Sequence, residues 1–153
     1  MSADAPVMGR HPGGQQAAQA RRHVWTVPLV PASVRAARER AERSLVLFGV
    51  TAGSSLGGAV LLVVSELVAN AVRHARNSPD AEITLAMNDH LLVVGVGDLD
   101  PRPLALTGHP SGQGLHTVAD LAREYGGDIR VEPAANGRGK SVVVRFILPT
   151  GTP

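Results

Sequence analysis

The segment that most constrains this chain is Ala59-Val60-Leu61-Leu62-Val63-Val64-Ser65-Glu66-Leu67-Val68-Ala69-Asn70-Ala71-Val72-Arg73-His74-Ala75, a helical stretch that is apolar almost all round. A helix hydrophobic on every side has no solvent face to present and must be surrounded by other elements. The fold is therefore built around it. Its longest purely apolar run, Ala59 to Val64, is far short of the roughly 20 residues that a spanning helix needs. No such run follows a basic segment at the N-terminus, so the expectation is a protein without membrane partner or signal peptide, cytoplasmic by default.

The polar exceptions on this helix need a reason. Glu66 and Asn70 are four residues apart and share a face, which Arg73 and Asn77 continue at helical spacing. A solvated edge on a core helix would explain them. So would a pocket, where a carboxylate can act as general base and an amide oxygen is a hard ligand suited to Mg²⁺.

The rest of the 153 residues supplies what this helix packs against. Residues 1–22 are rich in Gly, Gln, Ala and Pro without apolar periodicity and read as a disordered tail, leaving one domain over 23–150. His23 to Pro28 reads as a short strand, with Trp25, the single tryptophan, packing in the core. A helix opening at Pro31-Ala32-Ser33 carries Val34, Ala37, Ala41, Leu45 and Phe48 on one stripe and stops at Gly49. After a Gly/Ser linker and the central helix come strands at Glu82–Ala86 and Leu91–Gly97, joined as a hairpin through Asn88-Asp89-His90. The Pro/Gly-rich stretch from Asp98 to Gln113 is too long for an ordinary connection. A helix over Gly114–Tyr125, strands near Asp128–Glu132 and Ser141–Leu148, and a loop through Asn136-Gly137 complete the chain.

Composition removes several chemistries. With no cysteine there are no disulfides, thiolate zinc sites or cysteine nucleophiles. Aromatics are 3%, too few for a base-stacking platform on single-stranded nucleic acid. The net charge is only +2 and the arginines of the first helix alternate with Glu39 and Glu42, so the single-faced basic stripe of a nucleic-acid binder is missing. The six histidines show no metal spacing. Gly137-Arg138-Gly139-Lys140-Ser141 ends like a phosphate loop, but a strand follows where a helix is required, so no Walker site is read.

Two further features are modest alone. Asp98 stands at the carboxyl end of the apolar strand ending Gly95-Val96-Gly97, where it could accept from an exocyclic amine such as adenine's or simply cap the next turn. Gly112-Gln113-Gly114-Leu115 opens a helix, where small residues let a phosphate approach backbone N–H groups.

In chain order, Ser65 to Ala75, then Asp98, then Gly112-Gln113-Gly114-Leu115, resemble the N box, G1 box and G2 box of the GHKL ATPase superfamily. Within it the chain is most similar to the anti-sigma-factor serine kinases and their short actinobacterial ATP-binding relatives. The N-box likeness runs over eleven consecutive positions. The resemblance implies a Bergerat-type two-layer α/β sandwich, with a mixed, mostly antiparallel sheet, helices on one face and Mg-ATP held between the layers. It assigns Glu66 as general base and Asn70 as Mg²⁺ ligand, with Arg73 in the nucleotide site. Asp98 becomes the adenine contact, and Gly112, Gln113, Gly114 and Leu115 the phosphate-facing turn. Ser141, in Gly139-Lys140-Ser141-Val142, would lie near adenine, and Asp100 to Ser111 would form the ATP lid. The implied partners are a sigma factor and an anti-anti-sigma protein of STAS type, with room for a homodimer. The implied activity is serine phosphorylation in partner switching; the alternative is a non-catalytic binding module of the same fold. One departure stands out: the family continues Asp-x-Gly-x-Gly, whereas this chain reads Asp98-Leu99-Asp100-Pro101-Arg102.

Overall fold

The computed structural model describes residues 20–102, 113–134 and 138–149, with the side chain of Gln113 excepted. The elements in chain order are β1 (Arg21–Pro28), α1 (Ala32–Leu47), α2 (Ser55–His74), β2 (Asp80–Met87), β3 (Leu91–Asp98), α3 (Gln113–Glu124), β4 (Asp128–Pro133) and β5 (Lys140–Ile147). The first strand starts at Arg21, so the last two residues of the stretch read as tail belong to β1. The remainder of that tail, most of the expected lid and the Asn136-Gly137 loop lie outside the described residues.

The five strands form one sheet in the order β1-β2-β3-β5-β4. Every described pairing is antiparallel, so the mixed component expected of the sheet is absent from these pairings. β5 is inserted between β3 and β4, which lets α3 cross from the centre of the sheet to its edge. Alternation of side chains then sorts the strands into two faces. Ile83, Val96 and Val142 lie in one cross-strand row and Leu85, Val94 and Val144 in the next, all buried. That face receives the helices: α1 packs on β1 and β2, α2 on β3, and α3 on β4 and β5.

α2 sits between α1 and α3 and is the centre of the core, as its all-round apolarity requires. Val60, Val63, Val64 and Val68 are fully buried. By length and mean hydropathy (1.8) this helix could also cross a membrane, although its short apolar run suggested otherwise; in the fold most of its apolar side chains are buried against the sheet and the two neighbouring helices, with Leu62 left exposed. Its start is fixed by Ser54, whose hydroxyl accepts from Gly57 N–H at 3.0 Å, a side-chain cap on an orphan donor. Gly57 permits the chain to fold back, since a Cβ there would stand 2.1 Å from the Thr51 carbonyl oxygen.

The flanking elements follow their patterns closely. α1 buries Ala37, Ala41 and Leu45 and ends before Gly49, which adopts φ +86. The β2–β3 turn is held by Asn88, whose side-chain oxygen accepts from His90 and Leu91 N–H, both at 2.8 Å. Trp25 is only partly buried: it packs against the core while the Arg40 guanidinium stands 5.6 Å over its ring.

Candidate functional site

The carboxyl end of β3, the middle of α2 and the start of α3 converge on the helix-covered side of the sheet. The clearest mark of that convergence is Gly114. A Cβ there would stand 2.4 Å from Glu66 Oε2, so the Glu66 carboxylate lies directly against the first turn of α3. Two positions 48 residues apart in sequence are thereby joined, and the small residue is what permits the approach. Gln113 opens α3 as expected, and Leu115 is buried in the core rather than turned to a ligand. Gly112 and the Gln113 side chain lie outside the described residues.

One helical turn on from Glu66, Asn70 is buried at 7% exposure and lines a small cavity. Leu67, Ala71, His74 and Ala75 of and just after α2, Val96 and Asp98 of β3, and Lys140 and Val142 of β5 complete its wall. Asn70 and Asp98, which the sequence separates widely, therefore face one space. Its volume is only about 20 Å³. That is enough for a single water and far below the several hundred Å³ of ordinary ligand pockets.

Two expected site residues lie outside this cavity. Arg73 is exposed and does not line it; His74 does. On a helix the neighbours of Asn70 toward the sheet are Leu67, Ala71 and His74, whereas position 73 falls on the other flank, the one that carries Glu66. Ser141 lies on the helix-free face of the sheet, where a Cβ on its cross-strand partner Gly97 would stand 3.5 Å from the Ser141 hydroxyl. Alternation along β5 gives the inward position to Lys140, which lies opposite Asp98. The sole lysine, read from sequence as part of a false phosphate loop and as the neighbour of Ser141 but given no role, is thus the candidate site residue that sequence reasoning missed. Its Nζ donates to Asp98 Oδ1 at 3.1 Å and to the Asp100 carbonyl oxygen at 3.1 Å. The signal lies in strand register, which no local motif carries.

The loop without its two family glycines has its own architecture. Asp100 is fully buried and accepts from the backbone N–H and the guanidinium of Arg102, with Nη2 at 2.9 Å, and from Asn77 N–H at 3.2 Å. Arg102 also donates to the His74 carbonyl oxygen at the end of α2. The residues in the glycine positions form an ion pair that ties the loop after β3 to the end of the central helix. The Arg102 guanidinium beside Asp100 holds its carboxyl well below the usual carboxylate range, helped by the Arg102 and Asn77 amides.

Among the described residues no group of three or more His, Cys, Asp or Glu side chains could hold a metal ion by itself. An ion here would draw its remaining ligands from phosphate oxygens and water. That donor set fits Mg²⁺, which takes one or two protein ligands and keeps its water, with the buried Asn70 as the side chain that would hold it.

A second hollow, about 680 Å³ and open to solvent, lies on the opposite face of the sheet over Gly95, Gly97, Val93 and Val143. It is the larger of the two but contains none of the Glu66, Asn70 and Gly114 constellation.

An antiparallel sheet covered on one face by three helices, the central one presenting Glu66 and Asn70 between a strand-end aspartate and the start of α3, is a two-layer α/β sandwich. Residues 58–151 match the profile of the histidine kinase-, DNA gyrase B-, and HSP90-like ATPase family, and the chain belongs to that family. Among solved structures, the blue-light activated histidine kinase of Erythrobacter litoralis EL346 superposes with a TM-score of 0.51 at 19% identity, over 82% of this chain and 47% of that one. The histidine kinase domain from the same protein gives a TM-score of 0.48 at 18% identity, over 78% of this chain and 61% of that one. The likeness extends to the fold, and this chain spans about half the length of the full light-activated kinase. A search of curated protein sequences found no match.

Proposed function

We propose that this protein is a Mg-ATP-dependent protein serine kinase of the partner-switching kind, which sequesters a sigma factor and is countered by a STAS-type anti-anti-sigma protein in the cytoplasm. ATP binding follows from family membership. The observation that carries the finer reading is the contact of the Glu66 carboxylate with the α3 start, one helical turn from Asn70. A base is useful only where a phosphoryl group is held beside it.

In the reaction, the oxygen of a partner's serine hydroxyl attacks the γ-phosphorus in line. The bond from phosphorus to the bridging oxygen of ADP breaks, and the serine proton passes to Glu66. Bound through Asn70, Mg²⁺ would supply charge neutralisation at the phosphates. Gly114 keeps the α3 start open to phosphate, where backbone N–H groups and the helix dipole favour an anion. The residues of the site provide mainly position, which is most of what phosphoryl transfer asks of a protein.

The alternative, a binding module of the same fold that acts by contact, has one observation in its favour: the 20 Å³ cavity at Asp98 admits no base as it stands. Calorimetric titration with Mg-ATP, followed by transfer of labelled phosphate to a STAS-type protein, distinguishes the two. Binding with transfer supports the kinase. Binding without transfer to any serine leaves the contact module, and absence of binding at millimolar Mg-ATP removes the kinase reading.

A further inference from the structure

The base end of the site is closed by a side chain of the protein itself. Asp98 and Lys140 face one another across the β3–β5 ladder, with side-chain exposures of 7% and 14%. The Lys140 ammonium sits on Oδ1 of the carboxylate that would accept an exocyclic amine, and it is a donor of the same kind with a full charge added. Both residues line the small cavity that also contains Asn70.

The two backbones approach closely here: Gly139, at φ +77, lies so near β3 that a Cβ on it would stand 1.9 Å from the Asp98 carbonyl oxygen. The movable part is the lysine stem, with four rotatable carbons. Lys140 also borders the open hollow on the far face, whose lining includes Asp80, Glu82 and Glu132 together with Asp98 and one arginine, Arg22. The lysine thus stands at the end of the sheet, paired with Asp98 and beside a hollow in which carboxylates outnumber cations.

We infer that Lys140 is a built-in competitor for the nucleobase: in the empty protein it holds Asp98, and binding of the base exchanges it outward to that hollow. This regulates the same site and rests on the nucleotide reading above. Apparent affinity is then the intrinsic affinity reduced by the fraction of molecules with the lysine out, so a gate open about a tenth of the time weakens binding about tenfold. A Lys140→Met chain, with the same reach and no charge, removes the competitor. A Lys140→Gln chain retains a neutral donor toward Asp98 and should fall between the two.

The test uses the full chain as wild type, K140M and K140Q, each titrated with adenosine and with Mg-ATP after thermal melting has established that it is folded. Adenosine has no phosphate, so it reports on the base end alone. The expected result is about tenfold tighter adenosine binding for K140M, a smaller gain for K140Q, and a wild-type association rate that levels off with adenosine concentration where that of K140M stays linear. Equal or weaker adenosine binding by folded K140M overturns the gate, while Mg-ATP binding by the wild type would leave the nucleotide reading standing. If neither chain binds either ligand, both fail. Should K140M not fold, K140Q decides alone, because unchanged or weaker binding by it also overturns the gate.

Discussion

Replacing Gly114 by alanine places a methyl group where the Glu66 carboxylate now stands. The new carbon would be 2.4 Å from Oε2, whereas ordinary contact begins near 3.4 Å, so the carboxylate must retreat by about 1 Å. The obstructing atom is the end of a flexible side chain, and Gly114 has no positive φ, so the backbone need not move. Alanine favours a helix by up to about 1 kcal/mol relative to glycine. The folded state should therefore be as stable as wild type or slightly more so. A misplacement of about 1 Å in a catalytic group costs on the order of 10²-fold in rate, or about 2.7 kcal/mol of barrier. The assay measures initial rates of phosphate transfer, Mg-ATP affinity and melting temperature on G114A. G58A serves as a control, since a Cβ at Gly58 meets nothing within 4 Å. We expect G114A to retain its melting temperature and most of its ATP affinity while losing about a hundredfold in transfer, and G58A to lose nothing. Transfer at the wild-type rate in folded G114A would refute the assignment of Glu66 as base. A rate that falls only in step with stability would make the Glu66–Gly114 contact structural.

Glu66→Gln should abolish transfer and spare ATP binding, because the amide keeps the shape and loses the proton acceptor; Asn70→Ala should instead weaken Mg-ATP binding, and equal small losses of stability with no such split would argue against both roles. Mg-ATP should bind more tightly than Mg-GTP in side-by-side titrations, since Asp98 accepts from adenine's amine but would face guanine's carbonyl oxygen; equal affinities would take Asp98 out of the base site. Asp100 is held below its ordinary pKa when folded, so its contribution to stability is present above the unfolded value near pH 4 and is lost as pH falls toward the folded one. Asp128, lowered by its hydrogen bond from Arg145, acts in the same sense, so Asp100→Asn should flatten part of the fall in melting temperature between about pH 4 and pH 2. An unchanged slope would show that the Asp100–Arg102 pair does not form in solution.

What could be read from the sequence was what local periodicity encodes. The all-round apolarity of residues 59–75 announced the central helix, and Glu66 and Asn70 stood out because both are polar in an aliphatic run. Strand ends shifted by one or two residues, as at β2, where the ladder extends through Asp80 and Met87 once β1 and β3 are in place to pair with them. The site was less legible wherever it depended on two elements at once. Arg73 shares the flank of Glu66, but which flank faces the sheet is decided by packing, and the wall of the small cavity beside Asn70 takes His74. Ser141 and Lys140 exchange roles for an equivalent reason. A strand's faces are set by register, and a shift of one residue reverses them. The Glu66–Gly114 contact joins two motifs at a distance that no spacing rule could supply.

The loop after Asp98 bears on the choice between kinase and contact module. Glycines in that position leave the backbone free to take positive φ and to approach a ligand. Asp100 and Arg102 instead hold the loop by hydrogen bonds to Asn77 N–H and the His74 carbonyl oxygen. Those two groups lie at and just past the end of α2, where helix termini leave backbone groups unsatisfied. The ion pair therefore ties the strand end carrying Asp98 to the helix carrying Asn70. Asp98 is further constrained from within, because its Oδ1 accepts from Asp100 N–H at 2.9 Å. A base-reading carboxylate gains specificity from being held in place, since a wrong ligand then leaves it unpaired instead of letting it turn away. Losing the glycines thus exchanges a pliant rim for a clamped one. Breaking the clamp separates the two readings: in a kinase, Asp100→Asn should lower ATP affinity through the loosened Asp98 while leaving Glu66 and its phosphate geometry intact. In a contact module the same change should alter thermal stability alone. Titration and melting of one variant decide between them, and a stability loss with unchanged Mg-ATP affinity would count against the clamp as a positioning device.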